Sequence, residues 1–157
     1  MRVRPADRTD PRQLRALYRR ASARSTYFRF CTPNRVAADR YLATLVRPQT
    51  CQHRMLAAYV HDELVGVAGF DRVSSTEVEA SVLVADAHQR HGIGTLLVER
   101  LASIAAGLGI RSLIADVPIT NVAAIRLALA LDAGYDVYAR RSTFGVTLTV
   151  RLPPSGC

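Results

Sequence analysis

Two groups of residues in this chain have the types and spacing to do chemistry. The first is Gln89-x-x-Gly92-x-Gly94, inside the stretch HQRHGIG, which carries Arg90 and two histidines and no carboxylate. Glycines lack a Cβ, so the backbone N–H groups around Gly92 and Gly94 can approach a ligand closely. A helix-period apolar pattern follows at once, so the orphan N–H groups and positive dipole end of that helix converge on the same place. Arg90 and His91 add side-chain charge. Together these make a seat for an anion of about the size of a pyrophosphate. Two familiar phosphate loops are excluded. A dinucleotide fingerprint needs a third glycine where Leu97 stands, and a P-loop needs a lysine, a residue type missing from the chain. The alternative reading of the same residues is a strand-to-helix turn with glycines for tight packing.

The second group is the glutamates: Glu63, Glu77, Glu79 and Glu99. Glu63 falls in a turn and Glu99 on the polar side of a helix, where carboxylates are ordinarily surface charges. Glu77 and Glu79 alternate with Val78, Ala80 and Val82 on a strand that leads into the glycine loop, so both point to one face. A carboxylate there is placed to take a proton from a bound reactant. Ser81 shares that face and offers a group to orient water or substrate. His88 and His91 are further proton acceptors by type, within the anion loop.

The elements that must position these residues follow from periodicity. MRVRPAD reads as a short strand. Asp10 before Pro11 caps a helix with Leu14, Leu17 and Tyr18 on its apolar stripe. SARSTYFRFCTPN is irregular, and Asn34 opens a second helix through Leu45. MLAAYV and LVGVAGF form a hairpin turning at His61-Asp62-Glu63, and a turn at Ser74-Ser75 leads to TEVEASVLVA, the third strand of a meander. An amphipathic helix spans Gly92 to Ala106, RSLIADV is a buried strand, a further helix runs from about Asn121 to Leu131, and YDVYARR and FGVTLTVRL close the chain as antiparallel strands. The order is mixed, neither wholly parallel nor segregated.

With the elements in this order, VLVADAHQRHGIGTLLVERL and NVAAIRLALALDAGY resemble the acyl-CoA-binding core of the GNAT acyltransferases. RASARSTYFRF, DELVGVAGFDRV and the strand–loop–helix from Thr76 to Ile110 are similar to the acetyltransferase domain of bacterial Pat-type protein lysine acetyltransferases. The likeness runs from about Arg2 to Leu152. It implies an α+β fold with a mostly antiparallel central sheet of six to seven strands and helices on both faces, as one domain over 1–157. It implies acetyl-CoA as co-substrate, its pyrophosphate on the backbone N–H groups of Gln89, Arg90, His91, Gly92, Ile93, Gly94 and Thr95. A pantetheine arm would lie along Val82, Leu83 and Val84, where the family splays two strands apart. Asn121 matches the family asparagine that contacts the pantetheine end of CoA; a helix N-cap is its other reading. Glu79 matches the Pat-type general base, ten residues before Gln89. Two departures stand out. The stretch from Asn121 to Gly134 is longer than usual, and Ala128 stands where many members carry a tyrosine that protonates the leaving thiolate. Arg24, Tyr27 and Arg29 lie in a loop suited to touch substrate, although Phe28 and Phe30 suit pinning that loop to the core.

The implied reaction is N-acetyl transfer to an amine, above all a protein lysine, with acyl-CoA synthetases as the typical Pat-type partner; that domain is often fused to others. The rival readings are a small-amine acetyltransferase, a non-catalytic acyl-CoA sensor and a nucleic-acid binder. The 157 residues carry a net charge of +8, all 21 basic residues being arginine, which raises the last possibility. With 6% aromatics, no tryptophan and no zinc-finger, RNP or KH signature, specific nucleic-acid binding is not expected. No apolar run approaches the ~20 residues of a membrane span, and the N-terminus has no signal-peptide core, so the expectation is a cytoplasmic protein. Cys31, Cys51 and Cys157 fit no metal or redox spacing, and no metal is expected.

Overall fold

The computed structural model describes residues 1–7, 11–25, 47–131, 134–143 and 145–154. The proposed Asp10 cap, the helix from Asn34 to Leu45 and the residues Tyr27 to Phe30 lie outside them. The described elements are strand β1 (Arg2–Pro5), helix α1 (Pro11–Arg20), strands β2 (His53–Val60), β3 (Glu63–Arg72) and β4 (Glu77–Val84), a 3-10 turn (Asp86–His88), helix α2 (Ile93–Gly107), strand β5 (Ser112–Val117), helix α3 (Val122–Leu131) and strands β6 (Asp136–Arg141) and β7 (Val146–Arg151).

The strands form one seven-stranded sheet in the order β1-β2-β3-β4-β5-β7-β6. Every neighbouring pair is antiparallel except β4 and β5. The reason lies in the connections. β2, β3 and β4 are joined by short turns, which force antiparallel pairing, whereas β4 reaches β5 through a whole helix, which allows a parallel crossover. The β2–β3 turn is tighter than expected: Val60 pairs with Glu63, and the two residues between them, His61 and Asp62, both take positive φ, 46° and 62°. Such a turn matches the twist of a two-residue hairpin.

Alternation along the strands assigns two faces. On one, Leu14, Leu17 and Tyr18 of α1 pack with Met55, Ala57, Tyr59, Leu64, Val67 and Leu83. On the other, α2 buries Leu97, Leu101 and Ala105 completely against Leu56, Val65, Phe70, Val78, Leu113 and Val150. Helix α3 shares that second face, setting Ala128 against Val117 and Leu148. Helices therefore cover both faces of a mixed α+β sheet. No helix among the described residues is long and apolar enough to cross a membrane.

Candidate active site

The parallel pairing of β4 with β5 is brief. It joins Glu77 with Ser112, Val78 with Leu113 and Glu79 with Ile114. Beyond that, β5 continues with β7 as its partner and β4 continues with β3 alone, so the two strands part immediately after Glu79. Which backbone groups of β4 face the opening follows from the ladder. Ala85 N–H donates to Val65 C=O at 2.7 Å. Antiparallel residues alternate between bonded and non-bonded pairs, so the backbone groups of Glu79, Ser81 and Leu83 serve β3. Those of Val82 and Val84 point into the opening. Val84 C=O already accepts from the Gln89 amide at 3.0 Å, which leaves the Val84 N–H and both Val82 groups for a ligand. Leu83 is 5% exposed and packs toward α1; its side chain closes the floor on the opposite face.

Past the end of β4 the chain makes its anion loop. Arg90 takes φ 62° and Gly92 φ 79°, with His91 between them at negative φ. A backbone that alternates hand in this way turns successive N–H groups toward one concavity. Gln89 N–H is used by Asp86 C=O at 3.3 Å. Among the described residues, the N–H groups of Arg90, His91, Gly92, Ile93, Gly94 and Thr95 have no hydrogen-bond acceptor. Helix α2 begins on Gly92 with no side-chain cap and no acid in its first turn, so nothing internal neutralises its dipole. The two glycines serve different ends. A Cβ on Gly92 would meet nothing within 4 Å, so that position is open to a ligand. A Cβ on Gly94 would come 3.0 Å from Leu127 Cδ1, so that glycine lets α2 and α3 approach. Ile93, 5% exposed, sends its side chain into the core, leaving only its N–H to the loop. Arg90 and His91 are exposed. Asn121 is 7% exposed, and its Oδ1 accepts from Ala124 N–H at 3.1 Å, a helix N-cap. Ala128, 5% exposed, fills its position with core packing.

The glutamates separate by surroundings. Glu63 is ion-paired with Arg20 at the hairpin. Glu99 is exposed on α2. Glu79 is exposed and stands at the fork between β4 and β5; Glu77 is half-buried, one alternation further from it. Directly across β3 from Glu79 is Asp71, and across from Asp71 on β2 is His53. Asp71 Oδ1 is held by Arg47 at 2.7 Å and by His53 Nδ1 at 3.0 Å. The same Nδ1 also lies 3.1 Å from the Arg47 guanidinium, so the three side chains form one cluster. Like charges opposite one another in a ladder repel, and the Arg47 guanidinium offsets the Asp71 charge beside Glu79. Sequence reasoning missed this row, although the Ser74-Ser75 turn fixes its register and so sets Asp71 against Glu79. No cluster of metal-ligating side chains occurs among the described residues.

The profile of the family described as Acetyltransferase (GNAT) matches residues 15–132. Among solved structures, the GNAT domain of S. lividans PAT superposes with a TM-score of 0.85 at 28% identity, covering 96% of this chain and 89% of that one. YncA from Salmonella typhimurium, solved with its cofactor acetyl-CoA, superposes at 0.75 with 27% identity, covering 100% and 95%. The ribosomal-protein-S18-alanine N-acetyltransferase of Escherichia coli shares the fold at 0.69 and 21% identity, over 99% and 95%. No curated protein matches the chain by sequence.

Proposed function

We propose that this chain, which belongs to the GNAT acetyltransferase family, moves the acetyl group of acetyl-CoA to the ε-amine of a protein lysine, with Glu79 as general base. The observation that carries this reading is the position of Glu79: an exposed carboxylate at the fork of β4 and β5, on the strand whose end becomes the anion loop. An exposed base can meet a side chain presented by a folded partner. The likeness to the PAT domain supports the protein-lysine acceptor over a small amine. An acyl-CoA synthetase is the partner class that this resemblance suggests, and the cytoplasm the compartment.

The steps follow from the chemistry of the groups. The unpaired N–H groups from Arg90 to Thr95 bind the pyrophosphate of acetyl-CoA, and Val82 and Val84 bond its pantetheine arm through their backbone. An ammonium cannot attack. At an ordinary lysine pKa of ~10.4, losing the proton at neutral pH costs about 4–5 kcal/mol, and Glu79, directly or through water, takes that proton. The neutral nitrogen then attacks the thioester carbon. The C–N bond forms, the carbonyl oxygen carries the developing charge against whichever of the Val82 and Val84 N–H groups the arm does not use, and the C–S bond breaks with its electron pair leaving on sulfur. With Ala128 in place of a phenol, the second proton of the attacking nitrogen passes through water to the thiolate. The amide product is neutral, and the proton held by Glu79 passes to solvent.

The deciding assay mixes the protein with acetyl-CoA and, separately, an acyl-CoA synthetase, other lysine-bearing proteins, polyamines and aminoglycosides, and follows thiol release. Release with a lysine-bearing protein, together with a mass gain of one acetyl group on that protein, is the expected result. Turnover confined to small amines would replace the acceptor assignment, and CoA binding without turnover on any amine would make the chain a sensor.

A further inference from the structure

Gln89 opens the anion loop, yet its side chain turns away from the concavity. Its amide nitrogen lies 3.0 Å from Val84 C=O, 3.3 Å from Asp86 Oδ1 and 3.4 Å from Ser25 Oγ. The two amide protons are thus shared among three oxygens. Ser25 donates its own hydroxyl proton to Asp86 Oδ1 at 2.8 Å. Ser25 is fixed in turn by Ser22, whose hydroxyl donates to Ser25 Oγ and accepts from Ser25 N–H, both at 3.1 Å. The proton directions are consistent along the row Ser22, Ser25, Asp86, with each hydroxyl donating once.

We infer that Ser25 and Asp86 are positioning residues for the acyl-CoA loop, acting through Gln89. Arg90, the next residue, takes a left-handed φ of 62°, a region that side chains other than glycine occupy only when their surroundings impose it. Gln89 is the last point at which the chain can be gripped before that reversal. The clasp grips it from two directions: from the end of β4, through Val84, and from the turn after α1, through Ser25, 64 residues away in sequence. Holding the start of the loop fixes where the following N–H groups point, so the clasp sets affinity for the anion without touching it. It also joins the segment that leads from α1 toward residues 26–46 to the loop.

This inference rests on the loop being the acyl-CoA seat, and the test separates the two. Dissociation constants for CoA are measured by titration calorimetry on the full chain and its variants, alongside KM for acetyl-CoA, kcat and the melting temperature of the free protein. Ser25→Ala removes one of the three contacts that hold the Gln89 amide, together with the hydroxyl's bonds to Asp86 and Ser22, and is expected to raise Kd and KM roughly three- to tenfold, with kcat retained and the free protein melting within about 2 °C of the parent. Asp86→Ala is expected to do at least as much. Asp86→Asn keeps an acceptor oxygen and is expected to restore affinity to within about twofold. The double variant Asp86→Ala with Gln89→Ala should be no weaker than the Gln89 change alone, since both break the same clasp. If the parent binds CoA and the Ser25 and Asp86 variants bind it equally well, the clasp has no positioning role. A melting loss that tracks the loss in affinity would likewise reduce it to a structural contact. If the parent fails to bind CoA, the functional reading falls first.

Discussion

Glu77 and Glu79 stand two residues apart on one face of β4, and their surroundings alone set them apart. Glu79→Gln keeps shape and hydrogen-bonding capacity but cannot take a proton. Turnover is expected to fall on the order of a hundredfold or more, with acetyl-CoA affinity nearly unchanged because the loop and strand backbone hold that ligand. Glu77→Gln is expected to do much less. Raising the pH toward the lysine pKa of ~10.4 should partly rescue the Glu79 variant, since solvent then supplies the neutral amine. Initial rates of thiol release against pH, for both variants, check this; near-parental turnover of Glu79→Gln at neutral pH would remove it from the mechanism. Both glutamates were legible in sequence because alternation on a strand is a short-range pattern. The Arg47–Asp71–His53 row and the Ser25–Asp86 contact were not read, since the first joins side chains across two strands and the segment before them, and the second spans 61 residues of chain.

At the scale of elements, α2 depends on two glycines for different reasons. Gly92→Val places a β-branched side chain at φ 79° and is expected to cost about 1–2 kcal/mol and to abolish the stabilisation by CoA. Gly92→Asn tolerates the left-handed backbone and should keep most of it. Gly94→Val instead drives a side chain into Leu127 and should lower the melting temperature of the free protein. Thermal melts with and without CoA distinguish the three. Leu101→Ala, which empties a fully buried site on the same helix, is expected to cost about 2–5 kcal/mol while leaving the loop's selectivity for CoA intact. The element order was legible because apolar periods change cleanly from strand to helix and back, and the glycine loop sits at one such change. Its packing role at Gly94 was only an alternative in the sequence, since nothing local shows that α3 lies against it.

For the whole molecule, the charge of +8 is carried by arginines in every part of the chain. Binding to nucleic acid is therefore expected to be weak and to fall steeply with salt; tight, sequence-selective binding at physiological salt, measured by filter retention, would contradict the reading. Saturating acetyl-CoA, at about a hundred times its dissociation constant, should stabilise the fold by ~2.7 kcal/mol. With no lysine of its own, the chain cannot carry the ε-acetyl mark it is proposed to place, so any such mark in a reaction belongs to its partner. The short contact between β4 and β5 has a mechanical consequence as well. It divides the sheet into two leaves, β1 to β4 and β5 to β7, stitched by three residue pairs and backed by α2, whose core contacts reach residues of both leaves. Such a seam is the place where the body can flex, each leaf moving as a plate about the stitches. A ligand arm bonded along β4 inside the fork would act as a splint there. Amide exchange in β5 should then slow when acetyl-CoA binds, far from the loop that holds its phosphates.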